Sequence, residues 1–146
     1  MYADVDFLLA LLKESDWLKE TAVHVYEEQG EKIWTSCFAL QEILIIARRE
    51  NLDPEKAMAQ VFELVDVRPV ELDLGYCQKA AALMNHYSMT TFDTFHVLAC
   101  GGDPIISSDK KYDSVGLKRI KLEEKRKKWI IENPPQFVKS KAHTKR

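Results

Sequence analysis

An aspartate interrupts an otherwise apolar run at the start of this chain, and this stretch constrains the fold most. Residues 2–12 read YADVDFLLALL, which predicts a strand over residues 1–5 and a helix over residues 6–13. Asp4 then lies where the strand ends, at the edge where open parallel sheets form their ligand-binding crevice. Asp4 is therefore either a functional acid or an ordinary turn residue, and Asp6 is the better candidate for the helix cap.

Strand-like and helix-like segments alternate along the rest of the chain. Helical patterns cover residues 16–29, 37–50, 53–65, 73–85 and 92–100, and strand-like runs cover residues 33–35, 67–72, 104–107 and 117–122. Pro69 places the run at 67–72 near an edge of the sheet. This order predicts an α/β fold in which a mostly parallel sheet carries helices on both faces.

Composition favours a single soluble domain. The chain has 146 residues, of which 46% are hydrophobic and 30% charged, and these values exclude a disordered chain. No apolar run is long enough to cross a bilayer, and the N-terminus does not resemble a secretory signal. The three cysteines, Cys37, Cys77 and Cys100, form no CxxC pair, so we expect buried thiols in a reducing cytoplasm.

Charge is distributed unevenly between the two parts of the chain. Residues 1–100 carry 8 Lys/Arg and 17 Asp/Glu, whereas residues 101–146 carry 13 Lys/Arg and 6 Asp/Glu. The composition changes at Glu123, which predicts a domain over residues 1–122 and a basic C-terminal extension over residues 123–146. The most basic run of this extension comprises Lys125, Arg126, Lys127 and Lys128. The extension is either a polyanion-binding segment or a solvated tail.

Four acids are predicted to meet at one edge of the sheet. Asp4 and Asp109 each follow a strand, and Asp93 stands at a helix start, where aspartate also serves as a cap. Glu42 lies on a helix with apolar residues on most sides. If Glu42 is buried, it needs an arginine or a cation from solvent; it could also be exposed. Asp113 either joins this cluster or lies in solvent.

Such a cluster of acids favours a metal site. Like charges brought together repel, and each is forced toward protonation. Mg²⁺ and Mn²⁺ remove this conflict because they prefer carboxylate oxygens, and such a site can activate water and stabilise charge on a scissile phosphate. No His/Ser/Asp triad competes with this interpretation. His96, one turn beyond Asp93, is either a supporting residue of the site or an ordinary helix residue.

Four motifs together resemble the PIN domain family, most closely its VapC-type toxin branch. They are residues 2–6 (YADVD), 36–43 (SCFALQEI), 92–99 (FDTFHVLA) and 105–112 (IISSDKKY), and they span residues 1 to about 122. The resemblance implies a three-layer α/β/α sandwich and a Mg²⁺- or Mn²⁺-dependent ribonuclease that leaves a 5′-phosphate and a 3′-hydroxyl. The chain departs from the common pattern at Val5, Asp6, Thr94 and Ser107, but no carboxylate of the site is lost.

The resemblance also implies roles for individual residues. The acidic site maps onto Asp4, Glu42, Asp93 and Asp109. Of these, Asp4, Asp93 and Asp109 would hold the metal and Glu42 would complete the pocket. Asp6 and Ser107 match supporting positions, where Ser107 would hydrogen-bond a metal-bound water or a carboxylate. Toxins of this branch typically form homodimers and are inhibited by a small VapB-like antitoxin whose tail enters the acidic groove.

Two other functions stay open beside a toxin ribonuclease. One is a PIN-fold binding or scaffold protein of an RNA-processing assembly, with little activity of its own. The other is a nuclease that acts on DNA or flap structures. Four intact acids argue against the first, and the lack of a helical-arch or helix-hairpin-helix sequence argues against the second. In the ribonuclease interpretation, the basic run at residues 125–128 would hold the RNA backbone.

Overall fold

Five short strands form one parallel sheet at the centre of the molecule. The structure, a computed structural model, describes residues 1–124. Its strands are β1 (Tyr2–Ala3), β2 (Trp34–Ser36), β3 (Asp66–Arg68), β4 (Ile105–Ser107) and β5 (Arg119–Lys121). They lie in the order β3-β2-β1-β4-β5, and every neighbouring pair is parallel. The predicted parallel sheet is confirmed, and so is the edge position of the strand near Pro69.

Seven α-helices connect and cover the strands of the described part of the chain. They are α1 (Val5–Leu12), α2 (Lys19–Gln29), α3 (Cys37–Ile46), α4 (Pro54–Leu64), α5 (Leu74–Tyr87), α6 (Thr91–Cys100) and α7 (Lys111–Ser114), with a 3₁₀ turn at Gly30–Lys32. The four-residue α7 was not predicted, because so short a helix has no apolar periodicity to reveal it.

Each face of the sheet has its own hydrophobic core. Successive strand residues point to opposite faces. Ala3 and Ile106 therefore pack with residues of α1–α4 on one face, while Tyr2 and Ile105 pack with Met89, Cys100 and Tyr112 on the other. The three-layer α/β/α sandwich is confirmed.

The helix starts differ from the prediction at two acids. Asp4, not Asp6, occupies the N-cap of α1, and its side chain accepts the backbone N–H of Val5. The strand ends at Ala3, two residues earlier than expected, so the extended conformation that a cap needs falls on Asp4. Asp93 likewise lies inside the first turn of α6, and Thr90 is the cap, in a reciprocal capping box with Asp93.

Two helices are shorter than predicted. Residues 16–18 form a turn, because the Asp16 side chain accepts the backbone N–H of Leu18, so α2 begins only at Lys19 and Trp17 is 77% exposed. Helix α3 ends at Ile46, four residues early. The chain there closes a turn in which Leu52 donates to the Ala47 carbonyl and Asn51 adopts a left-handed conformation with φ 56°.

Three further expectations concern the exposure of residues and the end of the chain. Cys100 is buried as expected, but Cys77 is exposed and Cys37 half-buried. No helix within residues 1–124 is long and apolar enough to span a membrane. Most of the basic extension, residues 125–146, lies outside the described residues, so the domain boundary at residue 122 stays a prediction.

Candidate active site

Four acids predicted from the sequence line one cleft at the carboxyl edge of the sheet. Asp4 follows β1, Asp109 follows β4, Glu42 lies on the second turn of α3, and Asp93 lies in the first turn of α6. The cleft has a volume of about 410 Å³, and Asp6, Ser108 and Arg49 also line it. Parallel strands end at the same edge, so four separate segments of the chain bring their carboxylates together.

Asp4 is the most buried acid of the cleft. It is 8% exposed, its Oδ1 accepts the backbone N–H of Val5 at 2.8 Å, and its Oδ2 accepts the Ser107 hydroxyl at 2.6 Å. Burial raises the pKa of this carboxyl to about 7, although His96 and these hydrogen bonds favour its charged form. A cation that binds here would therefore displace a proton near neutral pH.

Asp6 joins the start of α1 to the loop after β4. Its Oδ2 accepts the backbone N–H of Ser108 at 2.8 Å, and also the Ser108 hydroxyl. Its Oδ1 is buried and has no hydrogen-bond partner among the described residues. Burial raises the pKa of Asp6 as well, against the stabilising effect of the Ser108 hydrogen bonds.

The sequence did not decide whether His96 supports the site or is an ordinary helix residue. The ring is 1% exposed, and its Nε2 lies 3.3 Å from Glu42 Oε2 and 3.8 Å from Asp4 Oδ1. Its Nδ1 lies 2.6 Å from the Tyr2 hydroxyl, which is 2.7 Å from Ser36 Oγ. Burial opposes a charge on this imidazole, yet the hydrogen bond to Glu42 and the nearby Asp4 raise its pKa above the usual value.

The sequence carried one signal for His96. It follows Asp93 by three residues, so both lie on the same side of a helix. The roles of Tyr2 and Ser36 had no such signal, because their contacts cross from β1 to β2. The described residue that pairs with Glu42 is thus a histidine rather than an arginine, and the cation from solvent considered from the sequence stays a prediction.

Asp93 and Asp109 lie nearer the mouth of the cleft. Asp93 Oδ2 accepts the backbone N–H of Thr90 at 3.3 Å and lies 3.7 Å from Lys111 Nζ. Asp109 Oδ1 accepts the backbone N–H of Lys111 at 2.9 Å, and the Asp109 N–H donates to Ser107 Oγ at 3.0 Å. Each of these acids keeps carboxylate oxygen capacity beyond these bonds.

Of two further predicted regions, one lies away from the cleft and the other lies outside the described residues. Asp113 pairs instead with Arg119, at 2.9 Å between Oδ2 and Nη2, and it does not line the cleft. The predicted RNA-contacting run, Lys125, Arg126, Lys127 and Lys128, lies outside the described residues. Ser107, by contrast, lies where it was expected and donates to the Asp4 carboxylate.

The donor set of the cleft fits a divalent cation. One ligand atom each from Asp4, Glu42 and His96 lies within 4.8 Å of the others, and Asp93 and Asp109 add carboxylates to the same cleft. Asp6 Oδ1 is buried without a hydrogen-bond partner among the described residues, and burial raises the pKa of Asp4, so the charge of neither carboxylate is fully compensated within the described part of the chain. Hard divalent ions prefer such oxygen-rich sites.

The PIN domain family matches residues 1–118. This chain belongs to the PIN domain family. The match includes all four cleft acids. A comparison with curated proteins found no match.

Several solved structures share the architecture of this chain. One is VapC20 of Mycobacterium tuberculosis, described as a sarcin–ricin loop cleaving toxin. It has a TM-score of 0.68 at 22% identity, over 82% of this chain and 98% of that chain. Another is a toxin–antitoxin complex from Klebsiella pneumoniae, with a TM-score of 0.61 at 13% identity, over 85% of this chain and 98% of that chain. At these identities, the likeness concerns the fold.

Proposed function

We propose that this PIN domain protein is a divalent-metal-dependent endoribonuclease and the toxin of a type II toxin–antitoxin pair. One observation carries the proposal: acids from four separate segments line a single cleft with few basic groups to neutralise them. A purely structural cluster of this kind would be costly, because each added carboxylate raises the repulsion on the others.

The cleft residues have separate roles in this proposal. Asp4, Asp93 and Asp109 would hold Mg²⁺ or Mn²⁺, and Glu42 would complete the pocket. The ion would supply charge stabilisation for the scissile phosphate and a water activated for attack. Asp4 is kept in place by Ser107 and Val5, while Asp6 holds the Asp109 loop against α1 through Ser108.

The partners of the protein follow from the same proposal. RNA is the substrate, and the inhibitor is a small VapB-like antitoxin with a segment that enters the acidic cleft. We also propose a cytoplasmic homodimer. The exposed side chains of Leu44 and Ile45 on α3 and of Phe62 on α4 supply apolar surface for an interface between subunits. The basic run at residues 125–128 remains a predicted contact for the RNA backbone.

The experiment that tests the proposal compares cleavage of labelled single-stranded RNA in Mn²⁺, Mg²⁺ or EDTA. We expect metal-dependent cleavage by the wild type and a loss of more than about 100-fold in Asp93→Asn, because that change removes a carboxylate charge from the cleft. Asp66→Asn is the matched control, since Asp66 is exposed on β3 and its ion-pair partner within residues 1–124 is the exposed Arg68.

The outcome distinguishes the competing functions. Equal cleavage by Asp93→Asn and wild type would contradict the assignment of the site. Absence of cleavage by the wild type over a panel of structured and unstructured RNAs would favour the scaffold alternative. Cleavage of DNA or flap substrates in preference to RNA would favour the third alternative.

A further inference from the structure

His96 connects the acidic cleft to a buried pair of hydroxyl groups. Its Nε2 faces Glu42 Oε2 at 3.3 Å, and its Nδ1 faces the Tyr2 hydroxyl at 2.6 Å. The Tyr2 hydroxyl is in turn 2.7 Å from Ser36 Oγ. These side chains come from α6, β1 and β2, and each is no more than 1% exposed.

This chain of hydrogen bonds fixes the orientation of the ring. The Tyr2 ring packs edge-on against Trp34 at 4.9 Å between centroids, so its hydroxyl has little freedom to move. The imidazole also lies beside the ring of Phe92, at 6.4 Å between ring centroids. The hydrogen bond at Nδ1 and these ring neighbours orient the imidazole so that Nε2 faces Glu42.

Electrostatics decides whether His96 Nε2 faces Glu42 with a proton or with a lone pair. A neutral imidazole carries a proton on one nitrogen and a lone pair on the other. A bare Nε2 lone pair would face the lone pairs of Glu42 Oε2 at 3.3 Å and of Asp4 Oδ1 at 3.8 Å, which is repulsive. An Nε2–H group donates to Glu42 instead, and Nδ1 then accepts the proton of the Tyr2 hydroxyl.

We propose that His96 is a positioning residue that holds the Glu42 carboxylate in the cleft, with its own orientation set by Tyr2 and Ser36. The inference rests on the proposed function, because it treats Glu42 as part of the metal-holding set. Residues that orient metal-holding groups typically change metal affinity by about 10- to 100-fold when they are replaced. The alternative is that Nε2 itself binds the metal.

Two isosteric variants separate these roles in the full-length protein. Glutamine places its amide NH₂ near the position of Nε2, whereas asparagine places its amide NH₂ near that of Nδ1. We expect His96→Asn to weaken Mn²⁺ binding by about 10-fold or more, and His96→Gln to remain within about 3-fold of the wild type because it keeps a donor to Glu42. Electron paramagnetic resonance titration of free Mn²⁺ measures both affinities without RNA.

Competition between Mn²⁺ and Mg²⁺ shows whether His96 Nε2 orients Glu42 or binds the metal itself. A positioning role predicts that, within each variant, the Mg²⁺ affinity and the Mn²⁺ affinity fall by the same factor. That factor is larger for His96→Asn than for His96→Gln. A ligand role predicts equal losses in both variants and a selective loss of Mn²⁺, because Mg²⁺ gains less than Mn²⁺ from a nitrogen ligand. That second pattern, or wild-type affinity in His96→Asn, would overturn the proposal.

A second variant keeps the test decisive if a change at buried His96 disturbs folding. Tyr2→Phe retains the ring that packs against Trp34 and removes only the hydroxyl. We expect a loss of Mn²⁺ affinity of roughly 3- to 10-fold, with an unchanged circular dichroism spectrum. Wild-type affinity in Tyr2→Phe would contradict a role for this hydrogen-bond chain.

The same titrations distinguish failure of this inference from failure of the proposed function. A wild type that binds Mn²⁺ but cleaves no RNA would contradict the ribonuclease proposal, while the effect of His96→Asn on affinity would still support the positioning role. If the wild type cleaves RNA but His96→Asn binds Mn²⁺ with wild-type affinity, the ribonuclease proposal would be supported and the positioning role of His96 contradicted. A wild type without measurable Mn²⁺ binding would contradict both.

Discussion

Two clusters of carboxylates lie around β4 and β5, and they differ in the cations that face them. Asp113 and Glu123 surround Arg119, whose guanidinium nitrogens lie 2.8–3.0 Å from their oxygens. In the cleft, the acids outnumber the cations. Asp93 has Lys111 at 3.7 Å, and Glu42 has His96 at 3.3 Å. Among residues 1–124, Arg49 is the remaining basic residue that lines the cleft.

The two clusters also differ in their pKa values and in burial. The hydrogen bond from Arg119 lowers the pKa of Asp113, and this acid is exposed to solvent. Burial raises the pKa of Asp4 to about 7 and also raises that of Asp6. We expect the carboxylates that pair directly with Arg119 to be structural, whereas the cleft acids, which pair with no guanidinium among residues 1–124, form the proposed cation site. Substitutions in both clusters test this distinction.

Asp4→Asn should have the largest effect on the cleft and little adverse effect on the fold. Asparagine keeps the shape of Asp4 and can still bond with Val5 and Ser107, but it removes the charge. We expect the Mn²⁺ affinity to fall by more than about 100-fold, beyond the range for orienting residues, while the metal-free variant folds normally. Calorimetry and chemical unfolding measure the two quantities.

The raised pKa of Asp4 predicts how the stability of the metal-free wild type depends on pH. A raised pKa in the folded state means that Asp4 stabilises the fold fully below its unfolded pKa of about 4, and that this contribution is lost as the pH rises through about 7. The raised pKa of His96 acts in the same direction, because its contribution is full at low pH and is lost as the pH rises.

The wild type in EDTA should therefore lose unfolding free energy between about pH 4 and 8, on the order of 1 kcal/mol or more relative to Asp4→Asn. Adding Mn²⁺ at pH 7 should restore the stability of the wild type and leave that of the variant unchanged. Parallel pH profiles for the two proteins would contradict the assignment of an uncompensated charge to Asp4.

Arg119→Met should show the opposite pattern. The Arg119 side chain is 2% exposed, and its Nη1 also donates to the Ser107 carbonyl at 3.0 Å. Methionine keeps most of the packing volume but leaves that carbonyl and two carboxylates without their donor. We expect an unfolding free energy lower by about 1–3 kcal/mol and an Mn²⁺ affinity within about 3-fold of the wild type. A large loss of metal affinity without a loss of stability would reverse the roles of the two clusters.

The fold was predictable because its signals are local. Apolar periodicity, Pro54 at a helix start and Gly30 and Gly101 after helices mark the elements without tertiary information. The errors fall where a side chain or a turn overrides that pattern. Asp16 accepts the Leu18 N–H and delays α2, and the turn closed by Leu52 and Ala47 ends α3 early.

The acids of the site were predictable for a topological reason, and their partners were not. Asp4 and Asp109 follow parallel strands, so they share an edge whatever the strand order. The contact between Tyr2 and Ser36 depends on how β1 pairs with β2, which the sequence does not specify. Asp113 was grouped with the cleft by its nearness to Asp109, but its partner Arg119 lies six residues on, at the start of β5.

Asp113→Asn gives the smallest expected effect and the sharpest test of that grouping, with Asp109→Asn as its matched counterpart. Asp113 is exposed and does not line the cleft, and asparagine at this position can still accept a hydrogen bond from Arg119. We therefore expect Mn²⁺ affinity and RNA cleavage within about 2-fold of the wild type for Asp113→Asn, and losses of more than about 10-fold for Asp109→Asn. Similar losses in both variants would indicate that Asp113 belongs to the site. Pairing with Arg119 would then not distinguish structural acids from functional ones.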